Sequence, residues 1–212
     1  MKPDDFPNIV LTVIFFILLA ATPVLAQPTS GPAAGTLPQL PPGQSLGISL
    51  GIPTVPNLRD VGGYKTRDGA IVTRGLAYRS DTFNPMTAED IKKLGRLDLK
   101  NDYDLRTTAE AKAKPDEMPP GVRYHLLNVL ADAKSSAPAE LEALLHEPKK
   151  ANVVLGGGKI EALFMEGYRE FVSLPSAKQS YRTLFLSLAD RGKAPGVFHC
   201  TTGKDRTGWA AA

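Results

Sequence analysis

The longest apolar run of the chain comes at its start. NIVLTVIFFILLAATPVLAQ, Asn8 to Gln27, carries no charged residue and follows a short polar head. It closes on Val24-Leu25-Ala26, small residues of the kind a signal peptidase recognises, and predicts a secretory signal peptide over residues 1–26, cut after Ala26. Lys2 and the amino terminus are offset by Asp4 and Asp5, and the run is near the lower limit for crossing a bilayer, so an uncleaved anchor is the alternative. Either reading places the rest outside the cytoplasm, in the periplasm or secreted, with membrane contact only through an uncleaved signal. From Gln27 to Ile52 the chain is rich in Pro, Gly, Ser and Ala and has no charge, which predicts a flexible linker over 27–54. The alternation of Leu46, Ile48 and Leu50 also fits an extended arm packed on the domain downstream.

From Val55 onward apolar and polar positions alternate in short, regular pieces. VPNLRDVGGYKTRDGAIVTRGLAYRS has paired glycines and an Asp68-Gly69 turn signal, predicting a hairpin and then a strand near Leu76–Arg79. In MTAEDIKKLGRL, Thr87 is an N-cap with Asp90 three residues on, and Ile91, Leu94 and Leu97 recur at helical spacing. DLKNDYDLRTTAE reads as a strand ending in a loop around Arg106, and VRYHLLNVL as another strand. APAELEALLHE, KIEALFMEGYREFV and SYRTLFLSLAD read as helices, the last ending at Gly192, and APGVF as a short strand. Strands alternating with helices predict one α/β layered domain over 55–212.

Composition narrows the chemistry. The 25 Lys and Arg against 22 Asp and Glu give a net charge of only +3, with no basic run, so no nucleic acid partner is expected. The single cysteine excludes an internal disulfide, and the Cys and His spacings match no zinc site. No metal or organic cofactor is expected.

That cysteine, Cys200, sits where the predicted strand GVF enters the string HCTTGKDRTGW. Five residues separate it from Arg206, and a helix is predicted to leave from Thr207. Backbone N–H groups of such a loop can turn inward as an anion-binding nest, assisted by the helix start. Thr201, Thr202, Gly203, Lys204, Asp205, Arg206 and Thr207 are therefore the candidate phosphate-binding residues. Gly203 permits the bend. Arg206 offers a planar fork for two oxygens of a tetrahedral anion. The positive field favours a thiolate at Cys200, and a thiolate in an anion cradle suits nucleophilic attack on phosphorus. Thr207 could donate to the sulfur. A nucleotide-binding P-loop is excluded, because Gly196 lies too far back and Asp205 follows Lys204.

HCTTGKDRTG resembles the His-Cys-x5-Arg-Thr signature of cysteine-dependent protein-tyrosine phosphatases. It is most similar to their bacterial His-Cys-x-x-Gly-Lys-Asp-Arg-Thr-Gly branch, which includes secreted mycobacterial and listerial enzymes active on phosphotyrosine and phosphoinositides. NLRDVGGY (57–64), GLAYRSD (75–81), YDLRTTAE (103–110) and MEGYREFV (165–172) resemble further blocks of this family, in the family's order. The resemblance implies a central sheet flanked by helices, with the chain ending before the family's last helices. It implies hydrolysis of phosphotyrosine, with phosphoserine, phosphothreonine or phosphoinositide esters as further substrates, through a cysteinyl-phosphate on Cys200 clamped by Arg206. It also supplies the aspartate of the Asp-Leu-Arg block, Asp104, as the usual candidate for the general acid. Pairing of Asp104 with an arginine is the competing reading, and Asp205, read as holding the loop, is the competing acid. His199 is expected to shape the thiolate through hydrogen bonds, while His125 and His146 are incidental. Asn57, Arg59 and Asp60 either brace the site floor or form a structural hairpin. The rival functions are a phosphate-binding fragment without turnover and a rhodanese-like sulfurtransferase.

Overall fold

A computed structural model describes residues 46–133, 148–157 and 159–212. The signal segment, most of the predicted linker, the APAELEALLHE helix and His146 lie outside the described residues.

Five strands form one sheet: β1 (Arg59–Asp60), β2 (Ala77–Ser80), β3 (Asn101–Asp104), β4 (Arg123–Leu126) and β5 (Gly196–His199). Their order is β1-β2-β5-β3-β4, with β1 antiparallel to β2 and the other pairs parallel. The helices are α1 (Ala88–Leu94), α2 (Thr108–Ala113), α3 (Pro148–Leu155), α4 (Lys159–Ser173), α5 (Pro175–Ala189) and α6 (Arg206–Ala211). The mixed α/β architecture, a central sheet flanked by helices, is the one expected.

Local signals explain most boundaries. Thr87 caps α1 by accepting from the Asp90 N–H at 3.1 Å. Thr107 and Glu110 form a complete capping box at the start of α2. The β4 strand stops at Leu126, short of the predicted Leu130, and both ends of α5 differ from expectation. The α5 helix begins at Pro175, five residues before the predicted Ser180, because proline at the first helical position needs no N–H partner. It ends at Ala189, where Asp190 turns the chain into a 3-10 turn by accepting from the Gly192 N–H. The expected hairpin around Asp68-Gly69 is reduced to one bridge, Lys65 to Ile71.

The core has one cluster on each side of the sheet. Tyr103, Leu105, Phe198 and Cys200 join Phe171, Ala177, Tyr181 and Leu184 of α4 and α5 on one side. Tyr78 and Val197 join Leu50, Ile52, Val55, Leu58, Phe83 and Leu94 on the other. Packing thus extends upstream of Val55 into the segment read as linker. Leu50 and Ile52 are buried and Leu46 and Ile48 exposed, so only the end of the alternating stretch behaves as a packed arm. Fully burying a leucine or isoleucine stabilises by roughly 1.5–3 kcal/mol, enough to hold this short segment.

The register sorts the site's side chains. Asp104 is level with His199, and Tyr103 with Phe198. Because successive strand residues face opposite sides, Asp102, Asp104 and His199 share one face, while Tyr103, Phe198 and Cys200 share the other.

Candidate active site

Residues 200–205 leave the C-terminal end of β5, between its parallel neighbours β2 and β3. Four successive carbonyls of this loop are held from outside it. The Cys200 carbonyl lies 3.2 Å from His199 Nδ1. The Thr201 carbonyl accepts from the Thr82 N–H at 3.1 Å. The Thr202 carbonyl accepts from Asn57 Nδ2 at 2.8 Å, and the Gly203 carbonyl from an Arg79 terminal nitrogen at 2.7 Å. In a trans peptide the C=O and the following N–H point in opposite directions. Carbonyls drawn outward therefore turn the N–H groups of Thr201, Thr202, Gly203 and Lys204 toward the inside of the loop, the arrangement of an anion nest. Gly203 has φ +68°, and a Cβ there would stand 2.4 Å from the Ser80 carbonyl oxygen, so both backbone conformation and space require glycine.

Arg206 is 5% exposed and meets Glu110 in a bidentate pair, with both N–O distances at 2.8 Å. Thr201 Oγ1 donates to the same carboxylate at 2.5 Å. Glu110 thus fixes the plane of the guanidinium from one end and leaves its Nε side unengaged by the carboxylate. Burial would raise the Glu110 carboxyl, but its hydrogen bonds with Arg206 and the arginine's charge pull it down to about 2. Burial works against the Arg206 charge as well, and Glu110 more than restores it. Sequence reasoning missed Glu110. The signal available was the capping box in TTAE, which fixes the glutamate at the start of α2, where it reaches the loop.

Asp104 takes the second of its two readings. Its carboxylate is fully buried and accepts from Arg106 Nε at 2.9 and 3.0 Å, from an Arg106 terminal nitrogen at 2.7 Å and from the Tyr124 hydroxyl at 2.8 Å. Saturated by these donors, and on the sheet face opposite Cys200, it is not placed to protonate a leaving group. Asp205 lies in the loop itself, partly exposed, and accepts from the Tyr168 hydroxyl of α4. Thr207 Oγ1 is buried without a hydrogen-bond partner among the described residues, so the expected bond to the sulfur is not formed. Lys204 and Thr202 are exposed.

The remaining candidates separate cleanly. Asn57 braces the loop, and Arg59 in turn holds the Asn57 amide oxygen. Asp60 instead accepts from the Gly62 and Gly75 N–H groups at 2.7 and 2.8 Å, a structural role in its turn. His125 stacks on Tyr103 and contacts Asn101 Oδ1 at 2.9 Å, away from the loop. A cleft of about 670 Å³ between α2, β4 and the Pro115–Val122 segment contains none of the loop residues and is not this site.

Between its parallel neighbours, β5 delivers a buried cysteine into a nest of inward amides with an arginine six residues on, the arrangement expected of a cysteine-dependent phosphatase. The sequence matches the tyrosine phosphatase family over residues 50–212. The chain belongs to that family. It is 32% identical over 181 residues to a protein of Cupriavidus necator named as a tyrosine-protein phosphatase, covering 84% of this chain and 62% of the relative. It is 31% identical over 176 residues to the triple specificity protein phosphatase PtpB of Mycobacterium tuberculosis, covering 76% of this chain and 60% of that relative. The chain therefore spans about three-fifths of the length of these relatives.

Proposed function

We propose that this chain carries the phosphoryl-transfer site of a protein-tyrosine phosphatase. The observation that carries the reading is the set of four outward-held carbonyls around Cys200, which leaves consecutive amides facing one anion. Cys200 Sγ attacks the phosphorus of a phosphate monoester. An S–P bond forms as the P–O bond to the alcohol breaks, while the inward amides and Arg206 hold the equatorial oxygens. The leaving oxygen needs a proton, and Asp205 is the better-placed donor, because Asp104 is buried against Arg106. Water then attacks the cysteinyl-phosphate, the S–P bond breaks, the same aspartate takes the water's proton, and phosphate leaves. No step calls for a metal or organic cofactor.

Lys204, exposed within the loop, supports a broader substrate range. A cation there suits a second phosphate on an inositol ring, and one relative is named a triple specificity phosphatase. Export to the periplasm or medium follows from the N-terminal apolar run, and mature exported protein should begin at Gln27 by intact mass.

The test is phosphate release from a small aryl phosphate, expected in the native chain and abolished in Cys200→Ser. Phosphate binding without turnover would favour the binding-only reading, and thiosulfate-to-cyanide transfer without phosphatase activity the rhodanese-like one.

A further inference from the structure

Three of the four carbonyl tethers come from groups that keep their proton at any physiological pH: a backbone amide, Asn57 and Arg79. The tether on Cys200 itself comes from His199, which titrates. His199 is fully buried, with the ring of Phe83 edge-on at 5.3 Å between centroids. Its Nδ1 faces the Cys200 carbonyl and must carry hydrogen to bond it. Its Nε2 faces carboxylates: Asp102 Oδ1 at 3.2 Å, Asp116 Oδ2 at 3.4 Å and Asp104 Oδ1 at 3.9 Å. None of these oxygens is aligned for a hydrogen bond with Nε2, but three carboxylates within 3.9 Å of a buried ring nitrogen favour a proton there.

The carboxylates are not equivalent. Arg106 neutralises Asp104 and Asp116, at 2.7 and 2.6 Å. Asp102 has no arginine or lysine partner among the described residues. It is fully buried, and among the described residues neither oxygen has a hydrogen-bond partner; its contact with Nε2 is within ion-pair reach but lacks hydrogen-bond direction. A parallel strand buried on both faces ordinarily carries apolar residues, and an isolated buried carboxylate is costly. The charged and titratable groups around His199 are Asp102 and Asp104 of β3, Asp116 beyond α2, Asp81 beyond β2, Arg106 and Cys200.

We propose that Asp102, supported by Asp116, is a positioning residue that holds His199 as an imidazolium, and that this locks the Cys200–Thr201 peptide with its carbonyl outward and its N–H toward the bound phosphate. The proposal rests on the phosphatase reading for its consequence, but not for its geometry. Burial opposes charge on both partners and raises the Asp102 carboxyl too, but the geometry sets Asp102 and then Asp116 against the ring, and their charge raises the imidazole well above its ordinary range.

Nitrogen-15 and carbon-13 NMR of His199 reads its protonation directly, whether or not the chain turns over. The native ring should keep the imidazolium signature beyond pH 8. In Asp102→Asn, which preserves shape, it should become neutral below that pH. Activity on an aryl phosphate should fall about tenfold in kcat/KM at pH 8 and recover toward pH 6. In a His199→Asn background, where the amide nitrogen can still reach the Cys200 carbonyl, adding Asp102→Asn should cost less than twofold, because residues acting through one another are not additive. A neutral His199 in the native protein at pH 6.5 would overturn the proposal. So would an equal cost of Asp102→Asn in both backgrounds. A stoichiometric metal ion in the purified protein, lost with Asp102→Asn, would also overturn it, since Nε2 would then carry no proton. Failure of the phosphatase reading would show separately, as no turnover with the His199 signature intact.

Discussion

Two buried charge clusters flank the Cys200 loop, and both draw on the single stretch YDLRTTAE, which supplies Glu110 to one and Asp104 and Arg106 to the other. One is Glu110 with Arg206 and Thr201; the other is Asp104, Arg106 and Asp116, with Asp102 and His199 beside them. In the first, the carboxylate occupies one end of the arginine and leaves the rest for a ligand. In the second, Arg106 gives every described contact to the protein: Asp104, Asp116, the Thr82 hydroxyl and the Lys114 carbonyl. An arginine beside a carboxylate is therefore not by itself a site. What distinguishes the two is whether the guanidinium retains an unoccupied face next to a nucleophile.

The sharpest test sets Asp205, in the loop beside the first cluster, against Asp104 of the second. Asp205→Asn should lower kcat on a poor leaving group by about 10²–10⁴-fold, the usual contribution of a positioned acid, with little change in melting temperature. Asp104→Asn should do the reverse, lowering the melting temperature. If Asp104→Asn stopped turnover in a fully folded protein while Asp205→Asn did not, the assignment of the acid would be wrong.

Arg106→Ala leaves Asp104 and Asp116 buried without their cation. Breaking a buried pair from one side costs about 3–5 kcal/mol, to be read from urea unfolding. Glu110→Gln, which keeps hydrogen-bonding capacity, should cost less stability and show chiefly as a lower kcat/KM.

The clusters should also fail at opposite ends of the pH scale. Glu110 is lowered in the fold from its ordinary 4.5 to about 2, so its contribution is complete above pH 4.5 and disappears as pH falls toward 2. That difference is worth roughly 3 kcal/mol. The His199 proton is held more tightly in the fold, so its contribution is complete below the ordinary histidine range and is lost as pH rises. Stability measured against pH should lose its Glu110 component in Glu110→Gln on the acid side only.

The smallest effect separates two caps. Thr87→Ala and Thr107→Ala should each cost about 1 kcal/mol in stability. Only Thr107→Ala should also reduce kcat/KM, because its capping box holds the carboxylate that orients Arg206. Equal kinetics for the two variants would mean that Arg206 orients Glu110 without help from the helix.

Much of this was legible in the chain. Short-range signals gave the order of strands and helices: the Thr87 cap, the apolar stretch VRYHLLNVL read as a strand, the helical stretch KIEALFMEGYREFV. The candidate loop and its glycine bend were legible too, because Cys200, Gly203 and Arg206 are bound together by spacing alone. The weaker expectations depended on contacts distant in sequence. Leu50 and Ile52 look like linker among their neighbours and become core only against Leu58 and Phe83. Asp104 reads equally as an acid or as a partner for arginine until the register places it level with His199 and away from Cys200.

The sequence by itself singled out Cys200 and Arg206 as the candidate nucleophile and clamp and determined the α/β class, since each follows from residue type and local period. Only the tertiary structure decided which carboxylate faces which cation. Glu110 meets Arg206 across 96 positions of chain, and Asn57 reaches Thr202 across 145. Such pairs are selected by sheet register and by the cost of burying a charge without a partner, and neither is written in any short stretch of residues.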